Sequence, residues 1–351
     1  MQEQLLIRVA TLDDLDQLLE LSRLVGSGMT SMPSDRQSWI DKLERSIADF
    51  ERPDPSGNGD IYFMVMEDLN QNLIVGSGAV YAGIGLEKPF YSYKLATISA
   101  SSEKLGLTVH TRTLSLVNDF VGATEIGSLF LRPEYRRDGI GKFLSRSRFL
   151  LLADFPERFD PRVFAEMRGW LNDKTESPFW DALGHKFFGL SFQKADFISA
   201  VDGFQFISDL MPKYPVYVDL LPEEAQAVIG RPHDDAAGAL RILEKEGFSY
   251  NGYVDIFDAG PTISAQLDSI RSVAQSKLAT VGTILDDAEL EDQTSWIVSN
   301  ASLPDYRMMR MPLFCDEQDQ ISISQTHAKA MGVQVGDSVR ILKERMRDVQ
   351  T

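Results

Sequence analysis

The stretch Glu125–Leu144, EIGSLFLRPEYRRDGIGKFL, decides the fold class. It begins inside an apolar run, Thr124–Leu131, of strand character. Pro133 stops that run, because it brings no N–H to a strand ladder. Gly139–Ala153 then carries apolar residues at helical spacing. Between strand and helix lies R-x-x-G-x-G, Arg136 to Gly141. Glycines at 139 and 141 let backbone N–H groups approach an anion closely. The helix start adds partial positive charge, and Arg136 and Arg137 supply charge-assisted hydrogen bonds. The unit predicts a diphosphate site. It is not a Walker loop, since no G-x-x-x-x-G-K-[ST] occurs, and it is not a Rossmann fingerprint, whose third glycine would fall on Leu144.

Toward the N-terminus, Leu5–Ala10 reads as a strand, and Thr11 caps a helix that Gly26–Gly28 ends. Ser34 or Asp35 caps a second helix, with Trp39, Ile40, Leu43, Ile47 and Phe50 on one face. Ile61–Glu67 and Leu73–Val80 are strands joined by the polar turn Asn70–Asn72. Leu86–Phe120 reads as an insertion of mixed strand and loop. Arg162–Arg168 is a further strand, and Ser177 starts a helix that stops at Gly184. Asp196–Glu246 reads as mainly helical, and Tyr250–Phe257 as a strand. From about Lys277 short β-rich pieces alternate with acidic loops, and Met331–Val339, MGVQVGDSV, reads as a strand–turn–strand corner. The fold class is therefore α/β: a mixed sheet flanked by helices, a helical extension, and a small C-terminal β-barrel-like domain.

Composition narrows the function. With 351 residues the chain suggests about two domains. Its net charge of −17 argues against a broadly basic nucleic-acid-binding surface. No apolar run approaches the ~18 residues that cross a bilayer, and the first residues do not read as a signal peptide. Cys315 is the one cysteine, so neither an intrachain disulfide nor a cysteine-built zinc site is expected, as suits a reducing cytoplasm. His110, His185 and His327 lack metal-ligand spacing, no H-E-x-x-H occurs, and no metal is expected. No G-x-S-x-G elbow supports a serine hydrolase.

The order of elements over Leu5 to about Phe192, with the R-x-x-G-x-G loop, resembles the GCN5-related N-acyltransferases. That resemblance implies that the loop holds the pyrophosphate of an acyl-CoA. It also implies that N–H groups of Leu129 and Leu131 meet the pantetheine arm and thioester oxygen, and that Glu125 stands where a general base is placed. A closer resemblance, to the arginine N-succinyltransferase family, spans nearly the whole chain. It rests on Gly28–Pro33, Ala165–Gly169, Ser177–Trp180, Asp209–Pro215, Glu244–Phe248 and Tyr253–Pro261. This family resemblance implies succinyl transfer from succinyl-CoA to the α-amino group of L-arginine in arginine catabolism, with no tightly bound cofactor. It implies a homo- or hetero-oligomer, and it places the proton donor at His233, in Ile229–Asp234.

On this reading residues 1–195 form the acyl-CoA-binding core, 196–275 a helical extension and strand that complete the substrate site, and 276–351 the β-rich C-terminal domain. A guanidinium calls for carboxylates, so Glu166, Asp255 and Asp258 are substrate-binding candidates, with Ser31 and Thr30 for the substrate carboxylate. The partner of the succinyl carboxylate stays open. So do three alternatives: another acyl donor, another amine such as ornithine, and a non-catalytic acyl-CoA-binding subunit of a heteromeric enzyme. Gly139→Glu puts a carboxylate into the anion site and is expected to abolish CoA binding in isothermal titration, whereas unchanged affinity would refute the loop's placement.

Overall fold

Near-continuous apolar runs in Leu5–Val9 (β1), Ile61–Asp68 (β2) and Leu73–Tyr81 (β3) build an antiparallel meander covered on both faces, with Asn72 at φ +51° in the turn between the last two. This computed structural model describes residues 4–25, 29, 31–57, 59–195, 198, 210–290 and 294–344. The expected helix stop at Gly26–Gly28, Thr30, and residues 196–209 apart from Ile198 lie outside them. The helices Leu15–Val25 (α1) and Arg36–Glu51 (α2) follow β1. Asp35 caps α2 through Ser38 N–H (2.9 Å), as its residue type suggests. Both helices cover one sheet face, where Leu18, Trp39 and Leu43 pack on Phe63, Val65, Ala79 and Phe130.

Leu86–Phe120 resolves into a hairpin, Ser92–Ser102 (β4) and Leu107–Val117 (β5), with an exposed tip. Thr124–Leu131 (β6) then pairs antiparallel with β3. Ile140–Asp154 (α3) packs on the second sheet face, against Met64, Val75, Val80, Ile126 and Leu131. Arg162–Glu166 (β7) follows. The helix expected from Ser177 is two short ones, Pro178–Ala182 and Gly184–Phe188, broken at Leu183. Gly184 opens the second, because a Cβ there would overlap the Trp180 ring.

After Val216–Tyr217 (β8), helices at Glu223–Val228 and Ala237–Glu246 lead to Ser249–Val254 (β9) and Pro261–Gln266 (β10). The C-terminal strands are Lys277–Leu285 (β11), Ser295–Ser299 (β12), Arg307–Pro312 (β13), Phe314–Cys315 (β14), Gln320–Ser324 (β15) and Ser338–Lys343 (β16). One row holds all sixteen described strands, in the order β14-β15-β11-β16-β12-β13-β1-β2-β3-β6-β7-β10-β9-β4-β5-β8. The strands after Lys277 were expected to form a barrel-like unit. They keep an apolar cluster of their own around Val281, Met311, Ile321 and Ile341, but the row stays open and β13 hydrogen-bonds directly to β1. The MGVQVGDSV segment is the end of the helix Gln325–Met331, capped by Gly332 and followed by a turn into β16, not a corner between strands.

Asp154 ties this C-terminal part to the end of α3. Its fully buried carboxylate pairs with Arg340 (2.7 Å) and accepts from Ser299 (2.6 Å) and Tyr306 (3.2 Å). Asp154→Ala leaves Arg340 without its counter-charge. The expected loss is about 3–5 kcal/mol of stability by urea denaturation, and a loss below about 1 kcal/mol would contradict it.

Candidate functional site

Loop 136–141 starts α3 without a side-chain cap. Asp138 (φ +49°) and Gly139 (φ +73°) both take left-handed backbone, the first uncommon for a non-glycine residue and the second the reason glycine stands there. N–H groups of the first helical turn have no partner within the helix, which suits an anion. Arg136 Nε donates to the Leu131 carbonyl (3.0 Å) and its guanidinium lies over the Phe130 ring. Arg137 donates to the Glu134 carbonyl (2.5 Å). A third arginine, not anticipated from the sequence, comes from β13: Arg310 donates to the carbonyls of Asp138 (3.3 Å) and Gly139 (3.2 Å). It lies 172 positions along the chain from Asp138, so no local motif signals it.

The loop opens onto a split in the sheet. β6 and β7 run parallel, but they pair only at Thr124–Val163 and Glu125–Phe164. Beyond that point β7 keeps only β10, which pairs with it along its whole length, and Ile126–Leu131 has β3 as its one strand partner among the described residues. A register shift between Ser77 and Ala79 opposes Gly127–Phe130, and Ser128 sits at φ +49° inside it. Leu129 and Leu131, expected to offer N–H groups to a ligand, lie on this free edge.

Glu125 occupies the apex of the split. Burial pushes its carboxyl up to about 7 against the pull of the nearby Lys42 ammonium. Lys42 was not foreseen. It is buried on α2, donates to the Ser31 carbonyl (2.6 Å) and to Tyr81 Oη (2.8 Å), and burial lowers it to about 7. Tyr81 Oη in turn meets Ser128 Oγ at 2.6 Å. The sequence shows Lys42 only as a polar position on an amphipathic helix. Ser31, a candidate for the substrate carboxylate, offers its carbonyl to Lys42 and to Ser128 (3.4 Å) and also bonds Tyr81.

Three further acids cluster with one another, and one of them, Glu166, also feels the charge of Glu125. Glu166, at the end of β7, is driven well above the ordinary carboxylate range by burial and then by the charges of Asp255, Glu125 and Asp258. Its Oε1 is buried with no hydrogen-bond partner among the described residues. Asp255 is raised by burial and accepts from Phe257 N–H (2.7 Å) and Asp258 N–H (2.8 Å). Asp258, the third of these substrate-binding candidates, is held well above the ordinary carboxylate range by burial and then by the Asp255 charge. Its two oxygens accept from Gly169 N–H (2.7 Å) and Gly260 N–H (2.8 Å), which makes it a clamp between loops. A Cβ at Gly169 would clash with Asp258 itself, and one at Gly260 would overlap the Met167 carbonyl.

His233 joins the same rim. Its N–H donates to the Arg168 carbonyl (2.7 Å), and Trp170 N–H donates to the Arg231 carbonyl (3.2 Å), so 231–233 runs beside 168–170. His233 Nδ1 accepts from Asp235 N–H at 3.2 Å. With Nδ1 accepting, a neutral ring carries its hydrogen on Nε2, where it is a hydrogen-bond donor. Among the described residues no hydrogen bond joins His233 to Glu125, and no group of acids, histidines and cysteines is arranged to hold a metal ion. Nor is any described helix long and apolar enough to cross a membrane.

Comparison with known proteins covers the chain almost end to end. The family described as arginine N-succinyltransferase beta subunit matches residues 5–272, and the corresponding C-terminal domain family matches 277–343. An arginine N-succinyltransferase of Yersinia pseudotuberculosis is 40% identical over 336 residues, 94% of this chain and 95% of its own. The arginine N-succinyltransferase subunit beta of Pseudomonas aeruginosa is 38% identical over 344 residues, 96% and 97% of the two chains. The solved structure of arginine/ornithine succinyltransferase subunit AI from Pseudomonas aeruginosa superimposes with a TM-score of 0.87 at 33% identity, covering 97% of this chain and 99% of that one.

The Lys42–Glu125 pairing has a signed consequence. Lys42→Met removes the charge that lowers the Glu125 carboxyl, so the titration of Glu125, followed by isotope-edited infrared spectroscopy, is expected to move above about pH 7. A midpoint that stays put or falls would show that the pair does not interact.

Proposed function

The chain belongs to the arginine N-succinyltransferase family, and on that premise we propose that it transfers the succinyl group of succinyl-CoA to the α-amino group of L-arginine within a ternary complex. The observation that carries the chemistry is the buried carboxylate of Glu125, poised near neutrality at the apex of the split between β6 and β7. A base matched to the working pH takes a proton without first needing strong alkali. Lys42 supports this role by keeping the ionised form of Glu125 accessible.

In this mechanism Glu125 takes a proton from the α-ammonium, directly or through water. The neutral amine attacks the thioester carbon. N–H groups on the free edge of β6, at Leu129 and Leu131, receive the developing oxyanion and the pantetheine arm. Collapse breaks the C–S bond; the His233 imidazolium gives its Nε2 proton to the departing thiolate, and the neutral ring this leaves takes the second proton of the attacking nitrogen. Direct attack needs no covalent intermediate, so Cys315 has no part in it. Glu166, with its unpartnered oxygen, and Asp255 receive the guanidinium. Arg136, Arg137, Gly139 and Gly141 take the pyrophosphate, with Arg310 steadying the loop through its carbonyls.

We assign residues 1–195 to the acyl-CoA-binding core, 196–275 to completion of the acceptor site and 276–351 to the C-terminal part. A cytoplasmic setting fits the single cysteine and a CoA-dependent arginine catabolism. The subunit designations of the Pseudomonas relatives favour an oligomeric enzyme. The solved relative is an arginine/ornithine succinyltransferase, which makes ornithine the natural second acceptor to test.

A thiol-release assay with a matrix of acyl donors and amines tests this. CoA release is expected with succinyl-CoA and arginine, and folded protein that releases none with arginine or ornithine would overturn the assignment. Glu125→Gln and His233→Ala are expected to lower kcat about a hundredfold or more while CoA affinity changes little. An unchanged kcat would remove that residue from the chemistry.

A further inference from the structure

Resting on the succinyl-transfer reading, we propose that Arg148 is the specificity residue for the acyl donor, its guanidinium receiving the terminal carboxylate of the succinyl group. Arg148 lies in the middle of α3 and is 1% exposed. Its polar contacts stay within its own helix: Nη2 donates to Ser145 Oγ (2.8 Å) and Nε to the Ser145 carbonyl (3.3 Å). No carboxylate pairs with it among the described residues. Its buried neighbours differ, since Arg146 pairs with Glu246, and Arg340 with Asp154. Burial accordingly lowers Arg148 to about 9. A buried cation that lacks an anion is costly, and a fork-shaped guanidinium suits a carboxylate.

Its position fits the ligand. A Cβ at Gly78 would lie 3.6 Å from Arg148 Cδ and 3.9 Å from Leu129 Cδ1, so the side chain runs beneath the register shift of β3 and β6 and beside Leu129. Leu129 is also the proposed neighbour of the thioester oxygen. The terminal carboxyl carbon of a succinyl group lies three C–C bonds from the thioester carbon, a reach of ~4 Å. Arg148 sits on the α3 face of the sheet, whereas Lys42, Tyr81 and Ser128 occupy the α1–α2 face. The split between β6 and β7 joins the two faces. The anionic end of the donor and the cationic acceptor thus approach the reacting carbon from opposite sides.

The test compares succinyl-CoA with butyryl-CoA, which has the same chain length and no carboxylate, for wild-type protein and for Arg148→Met and Arg148→Lys. Wild type is expected to favour succinyl-CoA in kcat/KM by about a hundredfold. Arg148→Met is expected to remove that preference by losing succinyl-CoA turnover while butyryl-CoA turnover holds or rises, and Arg148→Lys to recover part of it. Met replaces an unpaired buried charge, so Tm should hold or increase. Equal losses with both donors in folded Arg148→Met, or a retained preference, would overturn the assignment. If that variant does not fold, wild type decides, and equal use of both donors overturns it. Failure of wild type to release CoA from succinyl-CoA with any amine would instead overturn the functional reading beneath it.

Discussion

The short pairing between β6 and β7 is the constraint on which the rest depends. Two ladder positions hold the strands together, and the next residue pair is already apart. A parallel sheet ordinarily satisfies its backbone groups along the full strand. Here one edge of Ile126–Leu131 is released in the middle of the row of strands. The release is stabilised from both sides. Asp258, bridging Gly169 and Gly260, fixes the segments where β7 ends and β10 begins, and the register shift at Ser128 is held by Tyr81 and the Ser31 carbonyl. A gap with free N–H groups is thereby built into the rigid centre of the molecule, where a thioester can be held without waiting for a loop to close.

Charge placement follows from that gap. Carboxylates at Glu125, Glu166 and Asp255 crowd one region, and each is pushed toward neutrality by burial and, for Glu166, by the others. Such a cluster disfavours its own ionisation until a cation enters, which couples acceptor binding to activation of the base. Lys42 tempers the effect at Glu125, whereas the charges acting on Glu166 are all negative. Lys42 thus eases the ionisation of Glu125, whereas Glu166 depends most on an incoming positive charge.

Much of this was legible in the sequence. Apolar pattern located β1, β2, β3, β6, α2 and α3: α2 buries one face against the sheet, while β2, β3 and α3 carry longer apolar runs because they are covered on both sides. The strand–R-x-x-G-x-G–helix unit located the turn from β6 into α3, because neighbouring residues encode that turn's backbone geometry. Glu125, Glu166 and Asp255 stand out by residue type and do converge. Lys42, Arg310 and Arg148 escape such a reading for a common reason. Each sits on a regular element whose local pattern explains it as a polar helix or strand position, and its significance comes from a partner, or the lack of one, set by tertiary packing. Asp258 carries a role that its residue type does not announce: it accepts from Gly169 and Gly260 N–H and so bridges two loops. The C-terminal barrel failed because strand patterns do not encode whether a row closes or joins a neighbouring strand, and β13 joins β1.

The net charge of −17 cannot serve a polyanionic CoA and a cationic amine together. The structure resolves the conflict by separating charges in space and not by balancing them. Basic groups gather at loop 136–141 and at Arg310, and acidic groups gather at Glu125, Glu166 and Asp255, with the split between them. Interactions of this kind act over a few ångströms in a low-dielectric interior, where they outweigh a diffuse surface charge that salt screens. Arg148 extends the same logic by one step. Helix α3 contributes its first turn to the diphosphate site and, two turns on, a buried cation beneath the reacting strand. One rigid helix thereby sets the distance between the two anionic ends of a dicarboxylic acyl donor, so donor length and donor charge are read by the same element.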